Sequence, residues 1–474
     1  MLDSSIGGTA VIVTCALFAA AGVWHARRTA RQQSLDDYLT ARNSIGTGLS
    51  IATLVATLAG GWILSSPALV GYFFGPAAIL GYCIGQAAPM WLFPLVGNRV
   101  RALHPTATTL SDAVSARYGR SVRLLVSLLG IFYMGVYLAA ELTVIAQSVN
   151  AVIGWTLLPA AALVALATVA YAAWGGVRTA IAVDRLQIGL IVILLGLVTW
   201  LLMAGLGGNP TAKTPAENLA WTAVGWENAA ILVVGIIASN LFDNSFWARV
   251  FACRDAATVR RSFTLAGLSI GLILVPAGLF GLWAAGTVPA DANPAALPVT
   301  LLMQVAPAWS VVAFLVLALI LAMSTISALF NGLVGVLTSD AAAFGAPTDA
   351  RTLRFARFGT VLVAIPAIGV ATLGKDATYL FFVANLVCAA AVVPVFLGLW
   401  APRLNARWVL TAFVVAVTAG TAYFPGNIEG TTLWLDVPGG QRFITSYVLA
   451  LGLSTVIAVA GALLGKERDL SGRR

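Results

Sequence analysis

The sequence predicts an all-α polytopic membrane protein of about thirteen transmembrane helices, N-terminus outside and C-terminus inside. Its core is expected to be a five-plus-five inverted repeat with two broken helices. Three observations carry this prediction. Apolar runs long enough to cross a bilayer recur along all 474 residues, of which 60% are hydrophobic and only 9% charged. Ordinary soluble domains carry about a quarter charged residues. When the runs are threaded alternately in and out, 24 of the 27 basic residues fall on one face, leaving Lys213, Lys375 and Arg442 on the other. Short cytoplasmic loops collect Lys and Arg, so the crowded face is the cytoplasm. Finally, two of the apolar helices are interrupted, five helices apart and with opposite directions of travel, as an inverted repeat requires.

A helix needs roughly 20 apolar residues to span the hydrocarbon core. On that measure the spans are 7–26, 46–73, 76–97, 121–150, 156–174, 180–205, 228–250, 262–286, 309–338, 355–374, 377–400, 408–424 and 443–465. The first run has Asp3 before it and Arg27 and Arg28 after it, the reverse of a cleavable signal peptide, so it is expected to be retained. Residues 1–45 form an N-terminal peripheral helix and its cytoplasmic connection. Residues 46–205 and 206–400 form the two five-helix repeats, and 401–474 form two peripheral helices with a short tail. The tail is too short for an output domain. The stretch 106–118 reads as an amphipathic cytoplasmic segment. The connections 206–227, 287–308 and 425–442 hold most of the polar, Pro-containing outer sequence and suit gates or lids.

The second span breaks at Gly60-Gly61, followed by Ser65-Ser66-Pro67, and the seventh at Ser239-Asn240 and Asp243-Asn244-Ser245. Broken backbone survives at membrane depth only where it is buried in protein or lines a cavity. Paired breaks in equivalent positions therefore point to a transporter's binding site.

Three carboxylates lie inside the spans, Glu141, Asp184 and Asp243. Ionisable groups in the membrane are costly and default to functional candidates. Asp243 lies in a polar run inside a break, where it binds substrate or caps a half-helix. Asp184 lies near Arg178 and Arg185, where it is functional or forms an interfacial salt bridge. Glu141 shares a helical face with Tyr133 and Tyr137, at offsets of eight and four. Ser324, Thr325 and Ser327 group hydroxyls suited to a hard monovalent cation, or to bonding back to their own helix. The basic residues are spread over short loops and form no patch, which excludes nucleic-acid binding. His25 and His104 are peripheral and no ligand set recurs at helical spacing, so an enzyme is not expected.

The chain resembles the sodium:solute symporter family over nearly its full length. The resemblance rests on Asp36-Asp37-Tyr38-Leu39 through Arg42-Asn43-Ser44-Ile45-Gly46, on Gly175-Gly176-Val177-Arg178-Thr179-Ala180 with Asp184 and Gln187, on Phe246-Trp247-Ala248-Arg249-Val250-Phe251-Ala252, and on Ala322-Met323-Ser324-Thr325-Ile326-Ser327. It implies the leucine-transporter-like fold, with one helix before the core and two after it. It implies a sodium site of the backbone carbonyls of Ala56, Ala59 and Leu321 with the hydroxyls of Ser324 and Thr325. A second sodium site would use Asp184, Ser324 and Ser327, although Ala328 stands where its next hydroxyl is expected. Substrate contacts would come from Ile63, Ser66, Tyr82, Gln86, Asp243, Asn244 and Asn385, with Glu141 added from its polar stripe.

The expected function is a sodium-coupled symporter of the inner cell membrane, importing a small polar organic solute such as urea, an amino acid or a carboxylate. The Asp-Asn-Ser-Phe-Trp run at 243–247 looks closer to the urea-transporting branch than to the proline or sugar branches. Na+ is its co-transported ion, the lipid bilayer its surroundings and the monomer its working unit. Leu58, where many members carry Asp or Asn, motivates proton coupling as the alternative. A solute sensor without transport is the alternative from another class.

Overall fold

The computed structural model describes residues 4–29, 35–289, 292–347, 350–426, 437–438 and 440–465. Arg31, the tail from Lys466 and most of the 425–442 connection lie outside the described residues. Every regular element among the described residues is a helix, apart from one isolated bridge between Ile45 and Cys253. Ten helices are long and apolar enough to cross a membrane, and three shorter ones, Thr47–Leu58, Leu157–Ala172 and Ala406–Ala422, are also apolar.

The chain opens with α1 (Ser4–Thr29) and α2 (Leu35–Thr40), then α3 (Thr47–Leu58). A 3-10 turn, Gly61–Leu64, separates α3 from α4 (Ser66–Leu103). The amphipathic segment becomes α5 (Leu110–Tyr118), started by a capping box in which Thr109 and Asp112 exchange hydrogen bonds. Next come α6 (Arg120–Ile153) and α7 (Leu157–Gly205). The 206–227 connection carries the short α8 (Ala216–Leu219). It leads to α9 (Ala223–Asn240), α10 (Asn244–Ala252) and α11 (Ala256–Ala285). The 287–308 connection carries α12 (Leu297–Val305). After it follow α13 (Trp309–Ala343), α14 (Ala350–Thr372), α15 (Ala377–Leu397), α16 (Ala406–Ala422) and α17 (Phe443–Leu464).

The apolar runs fall on helical segments, 46–73 across α3 and α4 and 228–250 across α9 and α10. Two neighbouring pairs are joined end to end within α4 and α7, each interrupted by one non-helical glycine: Gly75 (φ 74°) and Gly176 (φ 61°). A positive φ costs a side chain dearly and glycine little, so the two bends sit on glycines. Pro76 follows the first, where a helix can begin without an amide donor. Side-chain acceptors start other helices: Asp255 caps α11, Asp376 caps α15 and Asn405 caps α16.

Burial sorts the helices into layers. In α13, 83% of the apolar window is buried, against 19% in α14 and 28% in α17, so α13 runs through the middle of the bundle. Leu272, Phe355, Ile365, Val456 and Leu463 on the outer helices are exposed, as lipid-facing residues are. Arginines of the crowded face also serve the fold by accepting nothing and donating to helix ends. Arg101 donates to the carbonyls of Val250 and Cys253 at 2.6 and 2.7 Å, and Arg117 to those of Gly398, Ala401 and Leu404 at 2.7–3.0 Å. Both satisfy carbonyls that a helix C-terminus leaves without partners.

α4 and α11 approach through glycine. A methyl group on Gly281 would stand 1.7 Å from the Ala68 carbonyl oxygen, and one on Gly71 would stand 2.3 Å from the Gly278 carbonyl. Small residues let membrane helices touch backbone to backbone. Gly281→Leu is therefore expected to abolish the folded protein, read as loss of the monodisperse peak in detergent. Gly452→Leu on α17, where nothing stands within 4 Å, is expected to keep it. A folded Gly281→Leu protein with normal thermal stability would refute the close packing.

Candidate functional site

The first break frees backbone oxygens. In a continuous helix the carbonyl of Ala56 would accept from the amide of Gly60, and that of Thr57 from Gly61. Here the Gly60 amide donates to Leu58 O at 3.0 Å, and the Gly61 amide donates to Glu141 Oε2 at 2.8 Å. The two released carbonyls turn to α13. Ser324 Oγ donates to Ala56 O at 3.1 Å and Thr325 Oγ1 to Thr57 O at 3.2 Å. Ala59 and Leu321 are buried beside them, at the end of α3 and one turn before Ser324.

Ser324 Oγ also lies 2.9 Å from Asp184 Oδ1. A hydroxyl has one proton, so it can serve only one of these two acceptors at a time. Asp184 Oδ2 accepts from Thr53 Oγ1 at 2.5 Å and from Arg249 Nη2 at 3.2 Å. Both charged side chains of this ion pair are fully buried. Arg249 spends its other donors on Thr53 Oγ1 at 3.2 Å and Ser245 O at 2.9 Å. Ser245 in turn donates its amide to Asp243 Oδ1 at 2.7 Å. An unbroken chain of polar contacts thus runs from the second break through α10, α7 and α13 to the first.

The alternative of an interfacial salt bridge between Asp184 and Arg178 or Arg185 does not match this geometry. Arg178 pairs with Asp37 at 2.6 Å, and Arg249, from another helix, takes Asp184. Ser327 Oγ donates back to Ser324 O at 2.8 Å, and among the described residues no hydrogen bond joins it to Asp184. Asp243 is the N-cap of α10. Asn244 donates to Gly332 O at 3.2 Å, across to α13.

A cavity of about 20 Å³ lies between the two breaks, room for about one water. Of the expected substrate contacts, Tyr82, Gln86 and Asn385 line it. Ile63, Ser66, Asp243, Asn244 and Glu141 are buried around the breaks without being among its lining residues. Trp62, Tyr133, Tyr137 and Phe381 form much of its wall and were not foreseen as contacts. The signal for two of them was present, because Tyr133 and Tyr137 share the helical face of Glu141. Asn240, at the end of α9, donates to the lining residue Gln86 at 3.4 Å. A larger hollow of about 550 Å³ opens by α2 and the end of α13. Its charged residues are paired, Arg42 with Asp36 and Arg123 with Asp112, which marks it as structural.

A membrane bundle with two helix breaks meeting at one buried polar centre defines a secondary transporter. The sequence profile of the sodium:solute symporter family matches residues 38–416, and the chain belongs to that family. It is a multi-pass membrane transporter, not an enzyme, with Na+ as its co-transported ion. It is 25% identical over 449 residues to the spermidine transporter DUR31 of Candida albicans, a match covering 91% of this chain and 84% of the relative. Among solved structures, it is similar to a Na+-coupled sialic acid symporter in a substrate-bound outward-open state. That match has a TM-score of 0.76 at 17% identity and covers 98% of both chains. It is also similar to a nucleobase-cation-symport-1 family transporter solved closed with bromovinylhydantoin bound. There the TM-score is 0.56 at 14% identity, covering 92% of this chain and 96% of the other. These neighbours share the leucine-transporter-like fold.

The buried ion pair makes a direct test. Removing one partner strands the other charge, which costs about 3–5 kcal/mol, whereas replacing both with apolar groups is close to neutral. Arg249→Met should lower the thermal midpoint sharply, and Arg249→Met with Asp184→Leu should recover most of the loss. A double variant no more stable than Arg249→Met alone would show that the two charges are not coupled.

Proposed function

We propose that this protein is a sodium-coupled symporter that imports a small polar organic solute across the cell (inner) membrane by alternating access. The N-terminus faces outside, the C-terminus faces the cytoplasm, and the monomer is the working unit. Residues 46–205 and 206–400 act as the two repeats that rock around the breaks, with 1–45 and 401–474 peripheral. The observation that carries the reading is the contact of Ser324 with both Ala56 O and Asp184. When Ser324 donates its hydrogen bond to Asp184, its lone pairs and the Ala56 carbonyl are left for a hard cation between them. Thr325 with the carbonyls of Ala59 and Leu321 completes a five-oxygen shell for Na+.

One sodium per cycle is the stoichiometry this reading supports. Asp184 is already neutralised by Arg249, and Ser327 is bonded within its own helix. The solute has to be read from this chain's own cavity. The relatives named for spermidine and for sialic acid handle molecules of opposite charge.

Sodium binding is measurable without a solute, because a ligand that binds only the folded state raises its stability. Titrating NaCl against KCl at constant ionic strength should raise the thermal midpoint of the purified protein. Ser324→Ala and Thr325→Ala should each raise the half-maximal Na+ concentration about tenfold or more, as loss of one hydrogen-bonding ligand to a charge does. Ser310→Ala, which removes a hydroxyl bonded to Pro307 O at the far end of α13, should leave it unchanged. Unaltered sodium dependence in both site variants would reduce the pair to packing. Stabilisation that follows pH but not Na+ would favour proton coupling, the alternative that Leu58 raises.

A further inference from the structure

We propose that the central cavity seats a primary ammonium group, so that the transported solute is an alkylamine cation. This rests on the transporter reading above and names its substrate class. Two features converge on that chemistry.

The wall is a run of aromatic rings. Tyr82 lies 5.5 Å from Trp62, Trp62 lies 6.3 Å from Phe381, Phe381 lies 5.1 Å from Tyr137, and Tyr137 lies 5.7 Å from Tyr133. Aromatic faces attract ammonium ions, and the attraction grows when water is excluded. Neither Lys nor Arg is among the lining residues, so nothing basic there opposes a cation. Leu232 and Ile236 add an apolar stretch of wall suited to methylene groups.

Behind the rings stand two carboxylates, each half used. Glu141 and Asp243 are fully buried. Glu141 Oε2 accepts from the Gly61 amide and Asp243 Oδ1 from the Ser245 amide, one at each helix break. Among the described residues, Glu141 Oε1 and Asp243 Oδ2 have no hydrogen-bond partner. Neither carboxylate is itself a lining residue; Glu141 holds the amide of Gly61 beside Trp62 of the wall, and Asp243 lies four residues after Ser239 of the wall. A buried, unpaired carboxylate oxygen is costly, and an incoming cation relieves that cost.

The test uses the purified full-length protein in proteoliposomes with an imposed inward Na+ gradient, and labelled putrescine, urea and N-acetylneuraminate as probes. Putrescine should accumulate. n-Butylamine should compete with it, and n-butanol, its neutral isostere, should not. Glu141→Gln and Asp243→Asn each keep an amide oxygen that can cap the break, so both variants should fold with wild-type thermal midpoints. Each should weaken amine affinity about ten- to hundredfold. If neither variant folds, the wild-type competition between butylamine and butanol still decides. Failure of the wild-type protein to accumulate putrescine overturns the amine proposal, as does unchanged amine affinity in both folded variants. Sodium-driven accumulation of urea or N-acetylneuraminate, without putrescine, overturns it while leaving sodium symport intact. Putrescine accumulation under a pH gradient alone overturns the sodium reading and leaves the amine proposal standing.

Discussion

The buried ion pair of Asp184 and Arg249 is the constraint around which the rest of the site is arranged. Two full charges sit at the centre of an apolar bundle, out of reach of water. Their mutual attraction offsets the desolvation cost only when the remaining donors and acceptors are also used. They are used: Thr53, Ser324 and Ser245 complete the set. Those partners come from α3, α13 and α10, so the pair holds three helices to α7 at one point. A change in any one of these contacts is felt by the others, because a partly satisfied polar network at low dielectric is worse than none. That is a physical route by which an ion near Ser324 and a solute between the breaks can sense each other.

The breaks themselves supply the polar groups that a membrane interior otherwise lacks. Every interrupted turn releases amides and carbonyls, and each needs a new partner. At the first break the carbonyls go to Ser324 and Thr325 and an amide goes to Glu141. At the second, Asp243 takes the Ser245 amide as the cap of α10. Negative groups therefore collect where half-helix N-termini point, in keeping with the helix dipole. Two carboxylates placed for structural reasons stand at the breaks near an aromatic cavity, and among the described residues one oxygen of each has no partner. Under the amine proposal, capping and recognition fall to the same residues.

The arginines of the crowded face show a similar economy. Their distribution is what predicts an orientation, yet several of them are also bonded into the fold. Arg101 and Arg117 close the C-terminal ends of α10 and α15, and Arg123 joins α6 to Asp112 and Asp340. Close glycine contacts between α4 and α11 and lipid-facing aliphatics on the outer helices complete the packing. This pattern suits helices that gain little from the hydrophobic effect against one another once inside a bilayer.

Sequence by itself determined the helical runs, the two breaks and the one-sided charge. Hydropathy, glycine and charge act locally along the chain and can be read in order. It also marked Glu141, Asp184, Asp243 and the Ser324–Thr325 pair, since polar groups are conspicuous in an apolar run. Their partners were decided only by the tertiary structure. The two arginines nearest Asp184 in sequence are not its partners, and the one that pairs with it lies 65 residues away. Half of the aromatic wall escaped notice for the same reason, because Trp62 and Phe381 read as ordinary apolar positions until the fold brings them against each other and against Tyr137. Which face of each helix meets which neighbour depends on rotation about the helix axis and on close packing between distant segments. Neither is written in any one stretch of the chain.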